Sequence, residues 1–108
     1  MIDMKAAADE IGISVEVYRR LCSLFLETME TDTARLREAL ETERREEISS
    51  RAHHIKGAAA NLEFTVLSLI AEEMQHAACD KEIEHLRSMA DSLFEEYNTI
   101  KAEFEETI

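Results

Sequence analysis

Apolar residues recur along this chain at the three- and four-residue spacing of helices. A short amphipathic segment over residues 2–11 comes first, from Ile2 to a plausible stop at Gly12. Ser14 then reads as an N-cap, followed by an apolar stripe of Val17, Leu21, Leu24, Phe25 and Thr28. This second helix either runs on through Ala34, Leu36 and Leu40 or kinks near Thr31-Asp32-Thr33, where two threonines flank an aspartate. The polar stretch 41–47 contains the next turn. A third helix is predicted over about 44–60, with Ile48, Ala52, Ile55, Ala59 and Leu62 on one face. Asn61 is its expected C-terminal cap, because Asn tolerates left-handed backbone. A fourth helix over about 65–78 turns Leu67, Ile70, Ala71, Met74 and Ala78 inward. Asp80 is the expected cap of a fifth, carrying Ile83, Leu86, Met89 or Ala90, Leu93, Tyr97, Ile100 and Phe104.

Four amphipathic helices with short connections cannot bury their stripes alone. The expected fold is all-α, an antiparallel four-helix bundle with a short additional N-terminal helix. With 108 residues there is room for one core, so residues 1–108 read as a single domain. The absence of proline and the presence of only 2 glycines leave few breaks and favour long helices over a sheet with tight turns.

Charge narrows the partners. A formal net charge of −12 repels nucleic acid and anionic membranes over most of the surface. No apolar run approaches the roughly 20 residues of a membrane span, and the start Met1-Ile2-Asp3-Met4-Lys5 lacks a secretion signal's basic and apolar stretches. Cys22 and Cys79 have no metal-ligand spacing and read as reduced thiols. A cytoplasmic location is expected.

Most of the chemical information lies in Arg51-Ala52-His53-His54-Ile55-Lys56-Gly57-Ala58-Ala59-Ala60-Asn61-Leu62. With the core face set by Ile48, Ala52, Ile55 and Ala59, a turn of about 100° per residue carries His53 round toward solvent. Ser49, Lys56, Gly57 and Ala60 lie near it; three are small and one is a cation. Small neighbours leave the imidazole standing clear for another protein's active site, and the glycine suits close approach to the backbone. Lys56 could offset negative charge on a phosphoryl group. Arg44, Arg45, Arg51 and Lys56 stand against Glu46 and Glu47, a local net of +2 within an acidic chain. His54 sits further round the helix and reads as a residue of surface or interface packing.

This stretch resembles the histidine-containing phosphotransfer (HPt) family of two-component phosphorelays. Its signature is a histidine, a variable residue, an aliphatic residue and Lys-Gly, then small residues and a leucine. Here that is His53-His54-Ile55-Lys56-Gly57-Ala58-Ala59-Ala60-Asn61-Leu62, with Ala52 before it. The match makes His53 the phosphorylated residue and puts His54 on the variable position. Many relatives carry a glutamine on the next helix facing the active histidine, and Gln75 occupies that place. Many also have glycine directly after the leucine. This chain has Glu63 there, with Asn61 expected to take over the turn.

The resemblance implies a carrier rather than an enzyme: no ATP-binding domain is visible. His53 would accept a phosphoryl group from a receiver aspartate and pass it to another receiver. Lys56 would stabilise the phosphoryl oxygens, Gln75 would orient the ring, and Ser49, Gly57 and Ala60 would form the docking surface. Response-regulator receivers are the implied partners, with a hybrid sensor kinase as a further candidate. Mg²⁺ would come from the receiver, with no cofactor of the chain's own. Two other readings stand beside it. One is a helical adaptor without covalent chemistry. The other is a metal-binding bundle using Glu73-x-x-His76 and Glu82-x-x-His85, against which His76 is expected to point outward.

Overall fold

Two of the helices begin where a side-chain oxygen caps them. Asp3 accepts the amide of Ala6 at the start of α1 (Met4–Ile11), and Ser14 accepts that of Val17 at the start of α2 (Val15–Glu41). The remaining helices are α3 (Arg45–Asn61), α4 (Thr65–Ala77) and α5 (Ile83–Thr107). The computed structural model describes residues 3–107, so the expected start at Ile2 lies outside the described residues. Among the described residues there is no strand. Asp80 is not the cap of the fifth helix: it lies in the connection, where its amide bonds to the carbonyl of Ala77, and the helix opens only at Ile83.

Three helices end with the same pair of hydrogen bonds. After α1, Gly12 donates to Asp9 and Ile13 to Ala8; after α2, Glu43 donates to Leu40 and Arg44 to Ala39. After α3, Glu63 donates to the carbonyl of Ala60 at 3.1 Å and Phe64 to that of Ala59 at 2.9 Å. The pattern needs one residue of left-handed backbone, supplied by Gly12 (φ 87), Glu43 (φ 53) and Glu63 (φ 66). Glycine takes this conformation freely, whereas an L side chain does so at a cost of roughly 1–2 kcal/mol. The reversal after α3 therefore falls on Glu63 and not, as expected, on Asn61, which stays helical. Packing decides the position: Leu62 and Phe64 on either side of Glu63 are both buried, and the Phe64 ring lies 5.1 Å from that of Phe25.

The inward face of α2 also differs from the expected stripe. Val17, Leu21 and Leu24 are exposed, at 38 %, 38 % and 57 %, as are Thr28 and Ala34. Phe25, Leu36 and Leu40 of the expected stripe are buried, but the core takes Tyr18, Cys22, Met29 and Ala39 in place of the others. Two neighbouring strips of this helix are apolar, and periodicity alone does not rank them. Contact with α3 does: the Tyr18 hydroxyl donates to the carbonyl of Leu62 at 2.6 Å, satisfying an acceptor at the end of α3. Burial pushes the Tyr18 hydroxyl pKa up, with neighbouring Cys22 adding to the effect. The helix runs unbroken past Thr31-Asp32-Thr33, where Thr33 donates back to the Met29 carbonyl at 2.7 Å.

On α3 the expected face is the buried one: Ile48, Ala52, Ile55 and Ala59. On α4, Leu67, Ala71 and Met74 are buried and Ile70 is half-buried; on α5, Leu86, Ala90, Leu93, Tyr97, Ile100 and Phe104 are buried. Helix α2 packs on α3, α3 on α4 and α4 on α5, and α5 returns to α2, so four helices enclose one core while α1 covers α2. Connections of three to five residues make this ring compatible with an antiparallel bundle. Its longest dimension, 41 Å, is the length of α2 at about 1.5 Å per residue.

Candidate functional site on the third helix

Because the Ile48–Ala59 face of α3 is sunk into the core, the opposite strip is turned out. His53, Gly57 and Ala60 lie on it and are exposed, with half-buried Ser49 and Lys56 beside them. A Cβ added at Gly57 would meet nothing within 4 Å. Packing inside the chain therefore does not require glycine at that position.

Gln75 reaches this strip from α4. Its Oε1 lies 3.4 Å from Nδ1 of His53. That is a long contact; an amide oxygen only accepts, so the contact suits the tautomer with the hydrogen on Nδ1 and the lone pair on Nε2. Ser68 ties the same two helices together by donating to the Lys56 carbonyl at 3.1 Å.

The four cations around the site divide into two groups. Arg45 donates to the carbonyls of Ala78 and Lys81 and so fastens α3 to the α4–α5 connection. Arg51 lies 3.5 Å from Asp32 and 3.2 Å from Glu47. Its Nε, although within ion-pair range of Glu47, is not aligned for a hydrogen bond. Among the described residues Arg44 and Lys56 form no ion pair. Lys56 is thus the cation of the motif left available to an incoming anion.

The side chain that reading the sequence missed is Asp32. It is buried on α2, and its Oδ2 accepts from Nδ1 of His54 at 2.7 Å. His54 is therefore not mere surface packing; it is held by a carboxylate. A signal was present: Asp32 continues the spacing of Phe25, Met29 and Leu36, so an acid stands in phase with a core stripe. Next to this pair, Leu21, Leu24, Phe25 and Thr28 of α2 face His54, Ala58 and Asn61 of α3, with Leu62 just beyond its end, across a groove of about 390 Å³. Burial pushes the thiol pKa of Cys22, also on α2, up.

His76 and His85 are exposed on the far side of α4 and at the start of α5. Among the described residues no group of three or more His, Cys, Asp or Glu is placed to hold a metal ion. No helix among them is long and apolar enough to cross a membrane.

A family model, the Hpt domain, matches residues 20–106 of the chain. It covers α2 from Arg20 through most of α5 and includes the whole His53 strip. Neither a curated protein nor a solved structure matches the chain.

Proposed function

We propose, for a chain that belongs to the Hpt domain family, that His53 is the residue through which it carries phosphoryl groups. Hpt domains act in histidine phosphotransfer in two-component phosphorelays, where they meet receiver domains and serve as carriers rather than kinases. The observation that supports His53 is its position: an exposed imidazole on a convex strip, with Gly57 and Ala60 one turn or two away and Gln75 on Nδ1.

The donor in this reading is a receiver aspartyl phosphate, and the receiver brings the Mg²⁺. Nε2 of His53 attacks phosphorus in line; the N–P bond forms, the P–O bond of the acyl phosphate breaks, and the receiver recovers its carboxylate. Gln75 holds the Nδ1–H, which keeps the lone pair on Nε2. Lys56 draws off charge from the phosphoryl oxygens. Gly57, Ala60 and Ser49 form the floor on which the receiver sits, and the exposed Leu21 and Leu24 of α2 add apolar surface beside His54 and Ala58. A second receiver discharges the phosphohistidine by the reverse step. Such a relay operates in the cytoplasm, and a hybrid sensor kinase bearing a receiver domain is a natural source of the phosphoryl group.

The experiment is transfer from a labelled, phosphorylated receiver. His53→Gln abolishes acid-labile labelling, and His54→Gln leaves it largely intact. Label that survives the first change and disappears with the second would show the assignment to be wrong.

A further inference from the structure

His53 is not the sole imidazole on α3 with a defined ring orientation. The His54 side chain is 52 % exposed, yet its Nδ1 lies 2.7 Å from a carboxylate oxygen of Asp32, whose side chain is 4 % exposed. The other oxygen of that carboxylate is 3.5 Å from Arg51 Nη1. His53, by comparison, has only a neutral amide at 3.4 Å.

We propose that His54 is a second phosphoryl-accepting nucleophile, reactive at Nε2 toward small phosphoramidates and acyl phosphates, and that Asp32 activates it. A carboxylate accepts but does not donate, so the hydrogen of the neutral ring sits on Nδ1 and the lone pair on Nε2. As a bond from Nε2 to phosphorus forms, positive charge develops on the ring. A buried carboxylate already in contact with Nδ1–H stabilises that charge without reorganising. Arg51 keeps the carboxylate in place from its other oxygen.

The step balances. With phosphoramidate, the Nε2–P bond forms, the P–N bond of the donor breaks, and ammonia leaves carrying the protons already on its nitrogen. With an acyl phosphate, the P–O bond breaks and the carboxylate leaves. In both cases the ring retains Nδ1–H bonded to Asp32. Access decides which donor reaches which histidine. His54 borders the groove between α2 and α3, whose volume of about 390 Å³ admits a small donor. His53 stands on the outer strip, where a docked protein reaches it. The proposal does not depend on receiver transfer, so either reading can fail while the other stands.

The test treats the His53→Gln protein with phosphoramidate and maps phosphohistidine by mass spectrometry at neutral pH. His76 and His85 serve as internal controls, being exposed and without a carboxylate contact among the described residues. Labelling at His54 is expected to exceed either control by about tenfold or more, the worth of one charge-assisted hydrogen bond. Adding Asp32→Asn is expected to remove that advantage. Nitrogen NMR of the wild-type chain is expected to show His54 as the Nδ1–H tautomer, a reading that holds even if the Asp32 variant does not fold. Labelling of His54 no faster than His76 and His85, or an Nε2–H tautomer, would overturn the proposal.

Discussion

The side-chain oxygen of Gln75 lies 3.4 Å from Nδ1 of His53, joining residues 22 positions apart and on different helices. The contact is long and neutral, so its effect lies in ring orientation rather than in stability. Gln75→Ala is expected to slow transfer from a phosphorylated receiver by about five- to tenfold, equivalent to roughly 1 kcal/mol of lost hydrogen bonding. Its melting temperature is expected to stay near that of the wild type, as Gln75 is only half-buried. Quenched-flow measurement of phosphohistidine formation checks the first expectation and calorimetry the second.

Gly57 separates stability from docking. Nothing in the chain lies within 4 Å of a Cβ placed there, and the residue is inside a helix. Gly57→Ala is expected to raise stability by roughly 0.5–1 kcal/mol through helix propensity and a less flexible unfolded chain. If a receiver packs on that backbone, the same methyl group slows phosphotransfer. Urea unfolding beside transfer kinetics tests both, and faster or unchanged transfer would remove Gly57 from the docking floor.

Glu63 carries the opposite expectation. It holds a left-handed backbone with φ 66 at the end of α3. Glu63→Gly keeps both closing hydrogen bonds and relieves the steric cost, for an expected gain of about 0.5–1 kcal/mol after the added freedom of the unfolded chain is subtracted. Glu63→Val is expected to lose stability, since a β-branched residue fits that region poorly. Denaturation midpoints of the two variants provide the check.

The α2–α5 contact gives the pH prediction. Glu30 accepts from Lys101 at 2.9 Å and from Tyr97 at 2.8 Å. These bonds, that of Lys101 first, hold its carboxyl below the usual glutamate range, and Glu30 in turn raises the Lys101 ammonium. The lowered acid contributes fully above about pH 4.3, the unfolded value, and its contribution disappears as pH falls through the folded value. The raised base contributes fully below about pH 10.4, and its contribution disappears as pH rises through its own folded value. Glu30→Gln is therefore expected to lower the neutral plateau of the melting temperature slightly and so flatten both the acid and the alkaline fall, the two proteins converging at the extremes of pH. Because the pair is exposed, the difference is small and shrinks with added salt.

Helix number, helix order and the inward face of α3 follow from the chain's own periodicity, because Ile48, Ala52, Ile55 and Ala59 form its one apolar strip. The exposed strip with His53, Gly57 and Ala60 then follows as the other side of the same helix. Gly12 could be read as a stop because glycine alone adopts positive φ without strain. Local rules of this kind depend on neighbours three or four residues away, and those are visible in order along the chain.

Tertiary contact decided what had two local answers. Helix α2 carries two adjacent apolar strips, and only docking on α3 puts Tyr18, Cys22 and Met29 inside while leaving Val17, Leu21 and Leu24 out. The turn after α3 falls on Glu63 because Leu62 and Phe64 must both reach the core, although Asn61 is by itself the better left-handed residue. The partnership of Asp32 with His54 joins α2 to α3, and no spacing along one helix displays it. A buried carboxylate must find its partners wherever the folded chain brings them, and that is settled only when the helices pack.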